Sequence, residues 1–302
     1  MSAGSLLVRG ARAKRLYLEV SHKVDGYLHG EHLGIQVGPG GEPAEARPYE
    51  PGDDVRRMDW AVLARTGEPH VRTTTAQREL ETTFVVDLTP SMGLGTRRQL
   101  KKELALTVVA AFSHLASGPG DRIGAVVLSR AGVRRLPSRS TATAAPHLLS
   151  VLDRIDTGEG NSPGLGEALH AIPLPRRGLV VVVSDLLGPR DWQKRMQLLA
   201  QRHDVVVAHI SDPVELTLPA VGLLRVRDPE TGRALDVPTG SRALRESYAR
   251  AAAARQASAA EAVRDAGAAY LPLSTDGDWL RELSRFLTLR RRVRAARRVA
   301  GR

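Results

Sequence analysis

From about residue 81 onward, continuous apolar runs alternate with stretches whose apolar residues recur at helical spacing. "TFVVDL" (83–88) predicts a first buried strand and residues 97–117 an amphipathic helix. "RIGAVVLS" predicts a second strand and "GVRRLP" a short third one after a tight turn. Helices at 145–153 and 164–171 lead into "LVVVVSDLL", the most β-branched run in the chain. A helix at 191–202, the strand "DVVVAHIS", a helix at 241–266, the strand "AAYLPL" and a last helix from 278 follow. Apolar runs separated by helices predict an α/β, doubly wound, mainly parallel sheet covered on both faces. Within this series "LLRVRDPETGRALDVP" predicts a hairpin that turns at Pro229 to Gly232.

Residues 1–80 break the alternation. They are rich in Gly, Pro and charge, and the pieces "RLYLEV" and "HLGIQV" predict a small irregular β subdomain. The expected organisation is thus 1–80 for this subdomain, 81–289 for the α/β domain and 290–302 for a basic tail.

Composition narrows the chemistry. The 302 residues, 42% hydrophobic, suffice for one large core or two modest domains. Without cysteine there is no disulfide framework, thiolate metal site or cysteine nucleophile. The first 20 residues lack a secretory apolar core, and no run reaches the ~20 apolar residues of a membrane span. The expectation is a soluble, cytoplasmic protein. Of the net charge of +11, seven units come from Arg290, Arg291, Arg292, Arg294, Arg297, Arg298 and Arg302, and without them the balance is +4. Aromatics at 4% are thin for base stacking. A solvated basic helix end is therefore favoured over a nucleic-acid arm, which stays as an alternative.

The strand "TFVVDL" ends in a carboxylate, Asp87, followed at alternate positions by the hydroxyls of Thr89 and Ser91. In an open α/β sheet, ligands bind at the carboxyl ends of strands where the strand order reverses. Asp185, in "LVVVVSDLL", ends a second strand of the same kind. Two readings are open: turn chemistry with an N-cap, or an oxygen-only site for a hard divalent cation.

Several segments carry a resemblance. "DLTPSM", the helix after it, "GDRIG" and the late "SD" resemble the von Willebrand factor A-like fold with its adhesion-type metal motif D-x-S-x-S. "ARPYEPGDDVRRMDWAVLARTGEPHVRT" closely resembles the signature of a bacterial family known as domain of unknown function 58. "DPETG" and "LRELSRFLTLR" resemble its C-terminal half. The likeness spans about residues 14–295. It implies a non-enzymatic protein-interaction module that binds Mg²⁺ (or Mn²⁺ or Ca²⁺) and partners a MoxR-type AAA+ ATPase. The implied metal residues are Asp87, Thr89 (for the first Ser), Ser91 and Asp185. The motif's later Thr falls at or near Pro163, leaving Ser162 as the nearby hydroxyl.

"GNSPG" (160–164) fits a nucleophile elbow in letters only, because Pro163 has no N–H for an oxyanion and no strand precedes it. The phosphatase pattern D-x-D-x-T would need an acid where Thr89 stands, so a metal-dependent phosphohydrolase is the weaker alternative. His22, His29 and His32 suit a surface better than a zinc site, and no P-loop exists. In "PYEPGDDVRRMDW", the residues Asp53, Asp54, Arg56, Asp59 and Trp60 predict a charge-paired turn docked through Trp60, or else a partner-recognition surface.

Overall fold

The protein is described by a computed structural model over residues 3–30, 46–51, 53–72, 80–95, 98–172 and 177–300. In chain order the elements are α1 (Ala3–Gly30), β1 (Ala46–Pro48), α2 (Trp60–Thr66), β2 (His70–Arg72), β3 (Glu81–Leu88) and α3 (Lys101–Leu115). Next come β4 (Arg122–Ser129), β5 (Gly132–Ser140), α4 (Thr141–Asp153), α5 (Leu165–His170), β6 (Leu179–Ser184) and α6 (Gln193–Arg202). The chain closes with β7 (Asp204–Ser211), β8 (Leu223–Arg227), β9 (Ala234–Pro238), α7 (Arg242–Asp265), β10 (Ala269–Ser274) and α8 (Trp279–Ala300).

The main sheet has six strands in the order β10-β7-β6-β3-β4-β5. Every pairing is parallel except that of β4 with the edge strand β5. After β3 the chain builds outward through β4 and β5, then returns to place β6 on the other side of β3. The order thus reverses between β3 and β6. The sheet is α/β and doubly wound, as the apolar pattern predicts.

Alternation along the strands divides the core in two. Phe84, Val86, Val181 and Val183 pack with α1, α3, α4 and α8, while Val85, Val180 and Val182 pack with α5, α6 and α7. Both faces are therefore dry, which is why the strands are uniformly apolar.

The N-terminal expectation is corrected. "RLYLEV" is not a β piece: it lies in the helix α1, and "HLGIQV" falls outside the described residues. Leu18 is 47% exposed, whereas Ala13, Val20 and Val24 are buried and Leu16 and Tyr17 pack against the core. That spacing is a helical stripe, which the local period-two alternation of Leu16, Leu18 and Val20 imitates. Its burial adds about 1.5–3 kcal/mol for each large side chain. Strand structure described before residue 81 is confined to the antiparallel pair of β1 and β2.

In the signature segment, the anchor role expected of Trp60 is corrected as well. Trp60 is 67% exposed and α2 buries no residue, so Trp60 is no apolar anchor. Its acids act on the backbone: Asp59 accepts from Ala61 N–H and Val62 N–H, Asp54 from Arg56 N–H and Asp53 from Glu50 N–H. Arg56 is exposed. At the other end, the tail continues α8, and Arg290 is paired with Asp204. His22 is exposed on α1, while His32 lies outside the described residues.

Candidate functional site

Asp87 is the next-to-last residue of β3, and Asp185 follows the last residue of β6. These strands are parallel neighbours at the reversal point. Both carboxylates line one crevice of about 430 Å³, together with Thr89, Ser91, Ser162, Ser184, Asp228 and Glu230. The sheet topology therefore joins residues that lie far apart in sequence.

The two carboxylates are held differently. Asp87 Oδ1 accepts from Thr89 N–H at 3.0 Å, and Oδ2 accepts from the Ser184 hydroxyl at 2.7 Å. All its described donors are neutral. Burial pushes the Asp87 carboxyl up to about 6, the Asp185 charge adds to the rise, and the Ser184 and Thr89 hydrogen bonds partly oppose it. Asp185 instead faces the first turn of α3, where Lys101 Nζ donates to its Oδ2 at 2.7 Å. The other oxygen accepts from Leu187 N–H at 3.1 Å. Lys101 is fully buried and also pairs with Glu215. Burial works against the Lys101 charge, but Asp185 and Glu215 outweigh it and hold its pKa above the usual lysine value.

The surroundings fix this arrangement. His209 Nε2 lies 2.9 Å from the Asp185 carbonyl and Nδ1 lies 2.6 Å from the Tyr270 hydroxyl. A carbonyl can only accept, so the proton is assigned to Nε2 of a ring that burial holds below its usual pKa. Leu186 adopts a φ of 54°, a conformation that costs a non-glycine residue energy and recurs at functional sites. A Cβ added at Gly164 would lie 2.1 Å from Asp191 Oδ2, so that carboxylate would have to shift.

Of the turn and N-cap reading, the turn chemistry holds, since Asp87 Oδ1 accepts from Thr89 N–H two residues on, but the N-cap fails on geometry. Thr89 precedes a short 3₁₀ turn without a side-chain capping bond, and its hydroxyl lies 3.2 Å from that of Ser91. Ser162 follows a loop rather than a strand, as expected, and its hydroxyl oxygen is buried with no hydrogen-bond partner. A buried orphan oxygen beside two carboxylates and two hydroxyls is a donor set that suits a hard cation. Among the described residues, no three of His, Cys, Asp and Glu gather in an arrangement that would hold a metal. A cation here would therefore depend on hydroxyl and water oxygens too. The sequence-predicted residues Asp87, Thr89, Ser91, Ser162 and Asp185 thus share one crevice. Asp53, Asp54, Arg56, Asp59 and Trp60 do not line it.

Lys101, Ser184, Glu215 and Glu230 were missed. Ser184 and Glu230 had no distinguishing spacing. The expected helix at 97–117 placed Lys101 beyond the first turn, whereas α3 begins at Lys101, where a lysine opposes the helix dipole unless an acid compensates.

Residues 45–258 match the model of "Protein of unknown function DUF58", so the chain belongs to that family. It is 44% identical over 288 residues to the uncharacterized protein Rv1480 of Mycobacterium tuberculosis, covering 93% of this chain and 90% of that protein. Among solved structures it is similar to BatB from Bacteroides thetaiotaomicron, at 16% identity and a TM-score of 0.45, covering 69% of this chain and 97% of that one. It is also similar to the SpRpn10 VWA domain, at 12% identity and a TM-score of 0.37, covering 68% of this chain and 94% of that one. No described helix is long and apolar enough to cross a membrane.

Proposed function

We propose that this protein is a non-enzymatic interaction module that recognises a partner through a divalent cation in the β3–β6 crevice. Asp87, Thr89 and Ser91 would hold the ion, with Asp185 and Ser162 at its wall and Mg²⁺ or Mn²⁺ (or Ca²⁺) as the hard cation. When bound, the ion supplies a concentrated positive charge to which a partner's carboxylate can be drawn. The observation that supports this reading most is Asp87 itself, a buried carboxylate whose hydrogen-bonding partners are neutral. Such a group gains most from an added cation.

Asp185 plays a different part. Lys101 already balances much of its charge, so it shapes and orients the crevice wall more than it attracts an ion. Ser184 ties the two strand ends together, because its hydroxyl donates to Asp87 and accepts from Leu186 N–H at 3.1 Å.

The partner we propose, from the family resemblance, is a MoxR-type AAA+ ATPase that uses this protein as a substrate adaptor. The test uses the purified ATPase from the same cell with wild type and Asp87→Ala, in Mg²⁺ or in chelator. Binding that requires both Mg²⁺ and Asp87 supports the proposal. Binding indifferent to both removes the metal mechanism.

A further inference from the structure

The β8–β9 hairpin leaves the body of the domain and brings its turn, Asp228 to Gly232, to the crevice. Asp228 organises that turn: its Oδ1 accepts from Glu230 N–H at 3.0 Å and its Oδ2 from the Thr231 hydroxyl at 2.6 Å. The turn is also tied to the loop that carries Ser162. Gly160 N–H donates to the Pro229 carbonyl at 3.1 Å, and Arg227 pairs with Glu159 at 2.7 Å. Glu230 projects from this platform, and its Oε1 accepts from Ser91 N–H at 3.2 Å. Among the described residues, its other oxygen makes no hydrogen bond.

We infer that Glu230 is the chain's own acidic occupant of the crevice, held at the Ser91 amide on the wall that a partner's carboxylate would have to reach. This inference rests on the metal reading above. It adds that the open position of the ion is filled from within. Glu230 is not grouped with Asp87 and Asp185 around a common centre. It is held one loop away, by an amide of the ion-binding turn. A cation entering between the hydroxyls would draw the free oxygen of Glu230 towards it, because a carboxylate on a pre-positioned turn binds with little further ordering cost. The hairpin then acts as a latch, and a partner's acid must replace Glu230. Its exposed strands suit that role: Leu223 is 71% and Leu235 66% exposed, so little apolar burial holds the ribbon down.

Mn²⁺ is the probe. Its affinity is measured by titration calorimetry for wild type, Asp87→Asn and Glu230→Gln, with hydrogen exchange of residues 223–238 followed with and without the ion. Glu230→Gln keeps an oxygen for the Ser91 amide, so a merely structural role would survive it. The expected result is about tenfold weaker Mn²⁺ binding in Glu230→Gln. Mn²⁺ should also slow hairpin exchange in wild type and not in that variant. Wild-type affinity in Glu230→Gln, with binding weakened about a hundredfold in Asp87→Asn, overturns the latch and leaves the metal site standing. Absence of Mn²⁺ binding by wild type overturns both.

Discussion

Asp87 and Asp185 leave neighbouring parallel strands at the same end of the sheet, yet they are different chemical objects. Asp185 is met by a buried ammonium, whereas Asp87 receives hydrogen bonds from neutral donors. The difference follows from which face each side chain leaves. Asp87 alternates with Val86 and so shares the side of Val85, towards α5, α6 and α7. Asp185 meets α3, whose first residue is Lys101. One carboxylate is thereby neutralised within the fold, and the other receives hydrogen bonds from neutral donors alone among the described residues. A shared sheet end is therefore not a shared role.

The largest effect should come from cutting the internal pair. Lys101→Ala leaves Asp185 buried without its cation, and such truncations cost about 3–5 kcal/mol. Urea unfolding should show that loss with or without Mg²⁺. A change below about 1 kcal/mol would mean that the ammonium does not hold Asp185 as described. Next comes the half of the comparison that has only neutral donors. Asp87→Asn is expected to weaken Mn²⁺ binding by about a hundredfold, roughly 2.7 kcal/mol, while leaving the metal-free protein at least as stable. That opposite sign in stability separates the two acids: one variant is expected to destabilise the protein, and the other to weaken only the proposed ion binding.

Smaller effects sharpen the contrast further. Thr89→Val keeps the shape and removes one hydroxyl. About a tenfold loss of Mn²⁺ affinity is expected, read by the same titration. Away from the crevice, Asp59→Ala removes a cap and should cost about 1 kcal/mol in thermal or urea unfolding. Trp60→Ala should stay within about 0.5 kcal/mol, because so exposed a ring contributes little to folding. A large destabilisation by Trp60→Ala would restore the anchor role that its exposure contradicts.

The apolar runs made the α/β domain legible, since parallel strands buried on both faces have to be continuously apolar. "RIGAVVLS" and "DVVVAHIS" became β4 and β7 over the full length of those segments. The hairpin was legible from "DPETG", whose turn residues admit little else. Residues 16–20 misled because three alternating apolar residues satisfy a strand. Only packing against α3 and α4 shows that the stripe continues at helical spacing through Val24.

By itself, the sequence determined the order of the elements from residue 81 onward, the doubly wound class and the two strand-end acids with their neighbouring hydroxyls. Those properties depend on local periodicity and residue type. The tertiary structure decided that Lys101 belongs to Asp185, that Glu230 reaches the Ser91 amide and that Trp60 faces solvent. Each of these is a contact or an exposure set by how separate elements cross in space. Electrostatic pairing falls off over a few ångströms, a distance that position along the chain does not encode.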